Sequence, residues 1–251
     1  MKILCWNVNG IRSVAKKGFT ETVLRLDPDI ICLQETRINS DKDIVPLPGY
    51  IPYFTHSSLK GRNGVAFYYK DSIPVSCAPF QVQESFAEEG RLQMLSMGDA
   101  LLINAYYPSS KGTREGLARR VKWNWEFNEY VKSLRSQSPV ILCGDLNVAM
   151  ECPNMSFLMN NTHIPGCSRE ERYLFEMLIK DGMVDIWRAM NPATIQYTWW
   201  SNIGNARSRN LGYRLDYFLV DARLVMQVRS IAILSDIQGS DHCPLMLQIS
   251  I

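Results

Sequence analysis

The sequence lacks the cysteine patterns and the long hydrophobic runs that define several protein classes. Its seven cysteines are an odd number, and no C-x-x-C pair occurs among them, which argues against a zinc knuckle and against a disulfide-bonded secreted scaffold. No run approaches the roughly 18 apolar residues of a membrane span. The chain opens on MKILCWNVNG without the leader of a signal peptide. We therefore expect a cytoplasmic protein with reduced thiols (nucleoid-associated if prokaryotic), neither secreted nor bound to a membrane.

The sequence also lacks an excess of either charge and the common nucleotide-binding and nucleophile motifs. It has 27 Lys and Arg against 25 Asp and Glu, a formal net charge of +2, which excludes a histone-like polycation. The phosphate loop, the dinucleotide fingerprint G-x-G-x-x-G and the nucleophile elbow G-x-S-x-G are all absent. With 46% hydrophobic and 21% charged residues, the composition is that of an ordinary globular protein.

What the sequence does contain is many short apolar runs with fewer helical stretches between them. Strands are predicted over Ile3–Val8, Ile30–Leu33, Val65–Tyr69, Leu101–Tyr106, Val140–Cys143, Tyr217–Val220 and Leu245–Ile249. Helices are predicted over Gly18–Leu26, Arg114–Leu134 and Arg169–Lys180, the last with Ser168 and Glu171 at capping-box spacing. This order predicts an α/β sandwich of mixed sheets. Because no linker or repeat divides the chain, we expect a single domain over residues 1–251.

Polar side chains stand where the predicted strands begin or end. They are Asn7, Asn9, Glu35, Asp145, Asn147, Asp216, Asp241 and His242. Taken singly, an Asn or Asp after a strand is usually a turn residue or a cap, and a lone histidine is more often a core residue than a catalyst. Asp216 is harder to dismiss because strands disfavour Asp and a buried carboxylate needs a partner.

As a set, these residues would form an oxygen-rich cluster suited to a hard cation such as Mg²⁺, with Mn²⁺ as a substitute. Zinc fits poorly, because the chain has only three histidines, His56, His163 and His242, and no cysteine spacing supports it. Metal-assisted attack of water on a phosphoester is the chemistry that remains.

Eight segments of the chain resemble the exonuclease III class of abasic-site endonucleases. In order they are WNVNGIRS, DIICLQET, GRNGVA, NAYYPS, CGDLNVA, YTWW, NARSRNLGYRLDYFLV and GSDHCP. That class belongs to the endonuclease/exonuclease/phosphatase superfamily, for which LQET and GSDH are general signals, whereas the NARSRNLGYRLDYF run is specific to the abasic-endonuclease branch. The resemblance implies a four-layered α/β sandwich like that of deoxyribonuclease I, with two mixed β-sheets packed face to face and helices outside.

The resemblance also implies an activity. A Mg²⁺-dependent DNA repair nuclease of this class, active in base excision repair, hydrolyses the phosphodiester 5′ to an abasic site in duplex DNA. It leaves a 3′-hydroxyl and a 5′-deoxyribose phosphate, and it has 3′→5′ exonuclease or 3′-phosphodiesterase side activity. The expected partner is therefore double-stranded DNA with an abasic site or a 3′ end, and we expect a monomer.

The family pattern assigns roles to the strand-end residues. The implied metal ligands are Glu35, as the principal one, with Asn7, Asn9, Asp145, Asn147 and Asp241. Asp216 would orient His242, which would act as general base or as a charged clamp on the phosphate. Asp145 is the alternative base, or the acid that protonates the leaving oxygen. Asn147 and Tyr106 would hydrogen-bond the scissile phosphate.

Two basic stretches are predicted to grip the DNA backbone. Residues 111–122 carry five basic residues against one acid, and residues 205–213 carry two and no acid. Without the motifs, each would be read as a solvated face; beside a phosphodiesterase core, phosphate contacts are favoured. The predicted DNA contacts are Arg119, Arg120, Lys122, Asn161, Arg207, Arg209, Asn210 and Ile203. Trp199, Tyr213 and Leu215 match the family's apolar pocket for a flipped, baseless deoxyribose.

The chain departs from some relatives at informative positions. Asn9 replaces an Asp, so a second metal is doubtful, and Tyr213 replaces a Trp of the pocket. Ile203 and Gly112 stand where relatives insert a Met and an Arg into the DNA, and a glycine cannot do so. Two alternatives stay open: a phosphatase of the same superfamily acting on a phosphoinositide or sphingolipid, and a catalytically silent DNA-binding homologue.

Overall fold

The computed structural model describes residues 1–80, 88–151 and 164–251. In this structure twelve strands form two six-stranded mixed sheets. The strands of the first sheet are β1 (Lys2–Asn7), β2 (Ile30–Gln34), β3 (Tyr50–Thr55), β4 (Val65–Lys70), β13 (Val228–Ile233) and β14 (Leu245–Ile249). Those of the second are β5 (Val75–Ala78), β6 (Leu92–Met97), β7 (Ala100–Tyr106), β8 (Val140–Asp145), β9 (Met183–Asp185) and β12 (Asp216–Asp221). The first sheet has the order β13-β14-β1-β2-β4-β3 and the second the order β5-β6-β7-β8-β12-β9.

Strand alternation divides the apolar side chains between two faces of each sheet. In β1, Ile3 and Cys5 pack in the core between the two sheets, whereas Leu4 and Trp6 pack on the outer face. The side chain of Asn7 therefore lies on the same strand face as that of Cys5, the face between the two sheets. This is why nearly every residue of the central strands is buried.

Helices cover the outer face of each sheet. The helices α1 (Ile11–Ala15) and α2 (Phe19–Leu26) share a core with the outer face of the first sheet. On the second sheet, the long helix α3 (Arg114–Arg135) and α4 (Arg169–Lys180) do the same, and α5 (Ile186–Met190) follows β9. The four layers confirm the predicted sandwich. Within the described ranges, no helix combines the length and the apolar character that spanning a membrane would require.

The predicted elements lie where the sequence placed them, within two residues at each end. The capping box of α4 is formed as predicted, because the Ser168 hydroxyl accepts the Glu171 amide while the Glu171 carboxylate accepts the Ser168 amide. The sequence missed α1, α5 and seven strands: β3, β5, β6, β9, β13 and the two-residue strands β10 (Trp199–Trp200) and β11 (Gly212–Tyr213). The long loop predicted over Glu151–Cys167, with Asn161 in it, lies largely outside the described residues.

Candidate active site

The predicted site residues converge at one edge of the sandwich. Each sheet has one parallel strand pair at its centre, β1 with β2 and β7 with β8. The first pair ends with Asn7 beside Gln34, and the second ends with Tyr106 beside Asp145. Because the two sheets face each other, these carboxyl ends meet, and the loops that follow them form the site.

Strand register brings two acidic side chains opposite each other. In β8, Cys143 packs between the sheets and Asp145 continues its row, and in β12, Phe218 packs there and Asp216 continues that row. The antiparallel register pairs Asp216 with Asp145. Both carboxylates are buried, so the fold places two acids in one low-dielectric space.

Sharp turns follow β1 and β8. Asn9 and Asn147 have left-handed backbones, with φ of 46° and 45°. The Asn9 amide donates to Asn7 Oδ1 at 3.0 Å, and the Asn147 amide donates to Asp145 Oδ1 at 2.9 Å. Residues two apart share one face within a strand, but here the second residue of each pair lies past the strand end. The side-chain-capped turn holds the pair together instead.

The side-chain amide of Asn7 joins the two central carboxylates. Its Nδ2 donates to Glu35 Oε1 at 3.1 Å and to Asp145 Oδ2 at 2.8 Å. Glu35 also accepts hydrogen bonds from the Arg37 guanidinium, with Nε at 2.9 Å. Burial alone would raise the pKa of Glu35, but Arg37 and Asn7 outweigh this effect and lower it. Glu35 is therefore a carboxylate at neutral pH.

His242 lies between two acids. Its Nδ1 is 2.8 Å from Asp216 Oδ2 and its Nε2 is 3.9 Å from Asp145 Oδ2. Burial alone would lower the pKa of His242, but the surrounding carboxylates, Asp216 first, outweigh it and raise the pKa to about 10. Burial also raises the pKa of Asp145, and the opposing charge of His242 offsets only part of this rise. At neutral pH His242 is thus a cation, and Asp145 is the group poised to exchange a proton.

Thr198, which the sequence interpretation missed, fixes both members of the Asp–His pair. Its buried hydroxyl accepts hydrogen bonds from the amides of Leu215 and Asp216, at 3.0 and 3.1 Å. Its carbonyl accepts the amide of Cys243, the residue after His242, at 2.8 Å. The letter Thr in YTWW carries no signal of this role, since the two partner segments meet only in the fold.

The donor set of the site suits magnesium. Among the described residues, no three His, Cys, Asp or Glu side chains form a metal-binding cluster. The groups that meet are the carboxylates of Glu35 and Asp145 and the amide of Asn7 between them. Mg²⁺ is usually held by one or two carboxylates together with water and substrate phosphates, so this set fits it. Asp241 joins the set through Asn9, whose Nδ2 donates to Asp241 Oδ1 at 2.8 Å.

An apolar cluster of the three predicted pocket residues adjoins the histidine. The rings of Trp199 and Tyr213 are stacked, with centroids 5.9 Å apart and planes within 10°. Leu215 packs in the same cluster, and the Trp199 ring lies 6.4 Å from that of His242. Pairing of β10 with β11 sets Trp199 opposite Tyr213, so the three predicted pocket residues are brought together.

On the other side of Glu35 lies a basic pocket of about 420 Å³. Its cationic lining is Arg37, Arg62, Arg91, Lys111 and Arg119. The first three lie outside both predicted basic stretches, and of the other two only Arg119 was among the predicted contacts. The first three come from separate loops, so no local charge pattern reveals them.

The predicted phosphate contact by Arg120 is wrong. The side chain is fully buried, its guanidinium lies over the Tyr107 ring, and its terminal nitrogens donate to the carbonyls of Pro108 and Leu146. These contacts tie α3 to the loop after β8, which gives Arg120 a structural role.

Arg207 is also committed to the protein itself. Its guanidinium lies over the Trp200 ring and donates to the carbonyls of Ser235, Ile237 and Ser240, at 2.8, 2.6 and 3.0 Å. Both terminal nitrogens hold the 235–240 segment that leads to Asp241, and the phosphate contact of this partly buried side chain stays a prediction.

The other predicted DNA contacts are accessible. Lys122 and Arg209 are exposed, and Lys122 lies 3.9 Å from Glu126. Arg119 is about half exposed and pairs with Glu89. Three further positions complete the set: Ile203 is 84% exposed, Asn210 accepts a hydrogen bond from the Trp200 indole, and Asn161 lies outside the described residues.

Comparisons with known proteins agree with this geometry. The family model described as Endonuclease/Exonuclease/phosphatase family matches residues 4–242. An exodeoxyribonuclease from Bacillus subtilis is 36% identical, over the full length of both chains. A DNA-(apurinic or apyrimidinic site) endonuclease from Dictyostelium discoideum is 39% identical, over 98% of this chain and 69% of the relative. Among solved structures, an AP endonuclease from Leishmania major superimposes with a TM-score of 0.88 at 28% identity, covering 100% of this chain and 87% of that one.

Proposed function

Because the chain belongs to the endonuclease/exonuclease/phosphatase family, as a nuclease of its exodeoxyribonuclease and abasic-site endonuclease branch, we propose that it is a Mg²⁺-dependent DNA repair nuclease. It hydrolyses the phosphodiester 5′ to an abasic site in duplex DNA and leaves a 3′-hydroxyl and a 5′-deoxyribose phosphate. It also has a 3′→5′ exonuclease or 3′-phosphodiesterase side activity; the name exodeoxyribonuclease of one relative supports the exonuclease part of this proposal.

The observation that carries this proposal is the apolar cluster beside the acid–histidine centre. Trp199, Tyr213 and Leu215 pack together in one aromatic and aliphatic cluster, and the Trp199 ring lies 6.4 Å from the His242 ring. A deoxyribose without its base fits an apolar recess of this kind, and an abasic nucleotide costs less to unstack than an intact one. A phosphoinositide headgroup, which is charged and heavily hydroxylated, would gain little from such walls.

The basic pocket supports a polyanionic substrate. Four of its cationic side chains are exposed beside Glu35, on a surface that a DNA strand could follow from the reacting phosphate: Arg37, Arg62, Lys111 and Arg119. The fifth, Arg91, is buried against Glu89. Each Lys or Arg that neutralises a phosphate releases a counterion, which makes such binding strong and salt-dependent.

The geometry supports different tasks for His242 and Asp145. His242, held as a cation by Asp216 at 2.8 Å, serves better as a charged clamp on the phosphate than as a base. Asp145, whose pKa is raised by burial, is suited to take a proton from water or to give one to the leaving oxygen. Tyr106, at the end of β7, and Asn147, two residues after β8, would hydrogen-bond the phosphate.

Glu35, Asp145 and Asn7 would hold the magnesium ion, with Asn9 and Asp241 supporting them from the neighbouring turn. When bound, such an ion neutralises negative charge that develops on the phosphate and the leaving oxygen.

One assay tests the proposal. A duplex oligonucleotide with a single tetrahydrofuran abasic analogue is incubated with the protein, with Mg²⁺ or with EDTA, beside soluble inositol phosphates and an unmodified duplex. We expect Mg²⁺-dependent incision 5′ to the analogue and no release of inorganic phosphate from the inositol phosphates. Binding of the abasic duplex without incision would instead identify a silent DNA-binding homologue.

A further inference from the structure

Trp199 belongs to two parts of the site at once. One face of its ring stacks on Tyr213, where the two rings would form a wall of the predicted apolar pocket. Its indole Nε1 donates a hydrogen bond to Asp241 Oδ2 at 3.2 Å. The side chain is half-buried, so a ligand in the pocket would touch the same ring that holds the carboxylate.

Asp241 is the start of a continuous set of hydrogen bonds to the central carboxylates. Asn9 Nδ2 donates to the other oxygen of Asp241, at 2.8 Å, and the Asn9 amide donates to Asn7 Oδ1 at 3.0 Å. Asn7 in turn donates to Glu35 and Asp145. Three residues, Asp241, Asn9 and Asn7, therefore connect Trp199 to the carboxylates that would hold the cation, and each step is a direct hydrogen bond.

The backbone reinforces the first step. Trp199 forms an isolated β-bridge with His242, and the Trp200 amide donates to the Asp241 carbonyl at 3.1 Å. The backbones of Trp199 and Asp241 are therefore held together, and the indole hydrogen bond restricts the rotation of the Asp241 carboxylate.

We propose that Trp199 is a positioning residue that, through its indole N–H, orients Asp241 and so couples filling of the apolar pocket to cation binding at Glu35 and Asp145. Hydrogen-bond partners of a metal site fix the orientation of its ligands, and losing one typically costs 10- to 100-fold in metal affinity. The inference rests on the proposed function only for the identity of the ligand that fills the pocket.

The first test measures metal binding without DNA. Trp199→Phe keeps an aromatic wall but removes the N–H, and Trp200→Phe is the matched control, because the Trp200 indole donates to Asn210 in the neighbouring loop. Binding of Mn²⁺ is followed by electron paramagnetic resonance, with thermal unfolding as the check on folding. We expect Trp199→Phe to raise the Kd for Mn²⁺ about 10-fold and Trp200→Phe to leave it unchanged. Equal Kd values in Trp199→Phe and the wild type, or equal changes in both variants, would overturn the proposal.

Trp199→Leu provides a second variant should Trp199→Phe fold poorly. It removes the ring and the hydrogen bond, so its Kd for Mn²⁺ must rise at least as far. A wild-type Kd in a folded Trp199→Leu protein contradicts the proposal.

The second test measures the coupling itself, in an Asp216→Asn background that keeps the DNA intact. A tetrahydrofuran duplex should lower the Kd for Mn²⁺ about 5-fold more than an unmodified duplex does, and adding Trp199→Phe should abolish that difference. A difference that persists in the Trp199→Phe variant, whose ring has no N–H to donate, excludes the indole as the link. If the wild type fails to incise abasic DNA, the proposed function fails, while the metal-binding arm still decides the role of Trp199.

Discussion

Buried charges occur in two different settings in this molecule. In the structural setting, guanidinium groups match the carboxylates: Asp221 accepts hydrogen bonds from Arg135 and Arg223, and Arg214 pairs with Asp185 and Glu151. At the site, Asp145 and Asp216 share a single imidazolium, and Asp216 Oδ1 is buried without a hydrogen-bond partner among residues 1–80, 88–151 and 164–251.

The difference follows from what each region does. A buried carboxylate whose charge and lone pairs are all matched stabilises the fold, because breaking the match is costly. A carboxylate cluster whose charge exceeds that of its partners costs stability, but it attracts a cation and shifts the pKa values of its members. We therefore expect substitutions at the site to lower activity with little loss of stability, and those in the structural pairs to do the reverse.

The largest effect is expected for Asp216→Asn. The amide keeps the shape but removes the charge that orients and protonates His242, so the incision rate on the abasic duplex should fall about 10³- to 10⁴-fold. The midpoint of thermal unfolding should stay close to that of the wild type. His242→Gln should cost about as much, and the double variant little more, since the two residues act as a unit. An additive loss would contradict this assignment.

Asp221→Asn tests the other side of the comparison. The change leaves Arg135 and Arg223 without their carboxylate, and we expect the free energy of unfolding to drop by about 3 kcal/mol, measured by urea titration. The incision rate per folded molecule should be unchanged, since Asp221 lies at the far end of β12 from Asp216. A fall in incision rate larger than the unfolded fraction explains would contradict the proposed division between structural ion pairs and site residues.

The same residue makes stability depend on pH. Burial alone would raise the pKa of Asp221, but hydrogen bonds from Arg223 and Arg135 outweigh it and hold the pKa well below its usual range. Its contribution is therefore fully present above the unfolded pKa of about 3.9 and is lost as the pH falls towards the folded value. Acid unfolding of the wild type should be steeper below about pH 4 than that of Asp221→Asn, and parallel curves would refute this.

Arg214→Lys probes a structural pair that borders the site. The Arg214 fork binds Asp185 through two nitrogens and Glu151 through one, and it stands between the pocket residues Tyr213 and Leu215. Lysine keeps the charge but cannot match this geometry, so we expect about 1–2 kcal/mol of lost stability. KM for the abasic duplex should rise more than kcat falls, because the pocket walls lose their anchor. A loss confined to kcat would place Arg214 in the chemistry.

The smallest effect is expected at the basic pocket. Arg119→Gln should reduce the slope of log binding constant against log salt concentration by about one unit, as expected for one lost phosphate contact. Arg25→Gln, an exposed arginine on α2 of the opposite outer layer, is the matched control and should leave the slope unchanged. Equal slopes for Arg119→Gln and the wild type would show that Arg119 makes no phosphate contact and serves only as an exposed partner of Glu89.

Periodicity was informative where one sheet or helix face is continuously apolar. Central strands such as β8 and β14 lie near their predicted bounds because both faces are buried. The edge strands β3 and β5 escaped prediction, because their exposed positions and Pro52 interrupt the apolar pattern. β6 is buried but carries Gln93 and unbranched methionines, which are weak strand signals.

The sequence by itself determined the family and the layered architecture. It also determined at which strand end, and on which strand face, Asn7, Asp145 and Asp216 lie, because strand alternation and strand ends are local properties of the chain. It could not tell Arg119 from Arg120. The two are neighbours on one helix, yet only the fold decides that one lies beside Glu89 at the surface and the other against Tyr107 in the interior. The same holds for Thr198, and for the indole of Trp199 that reaches Asp241. A hydrogen bond between residues distant in sequence exists only after the sheets have packed, so tertiary structure alone assigned these roles.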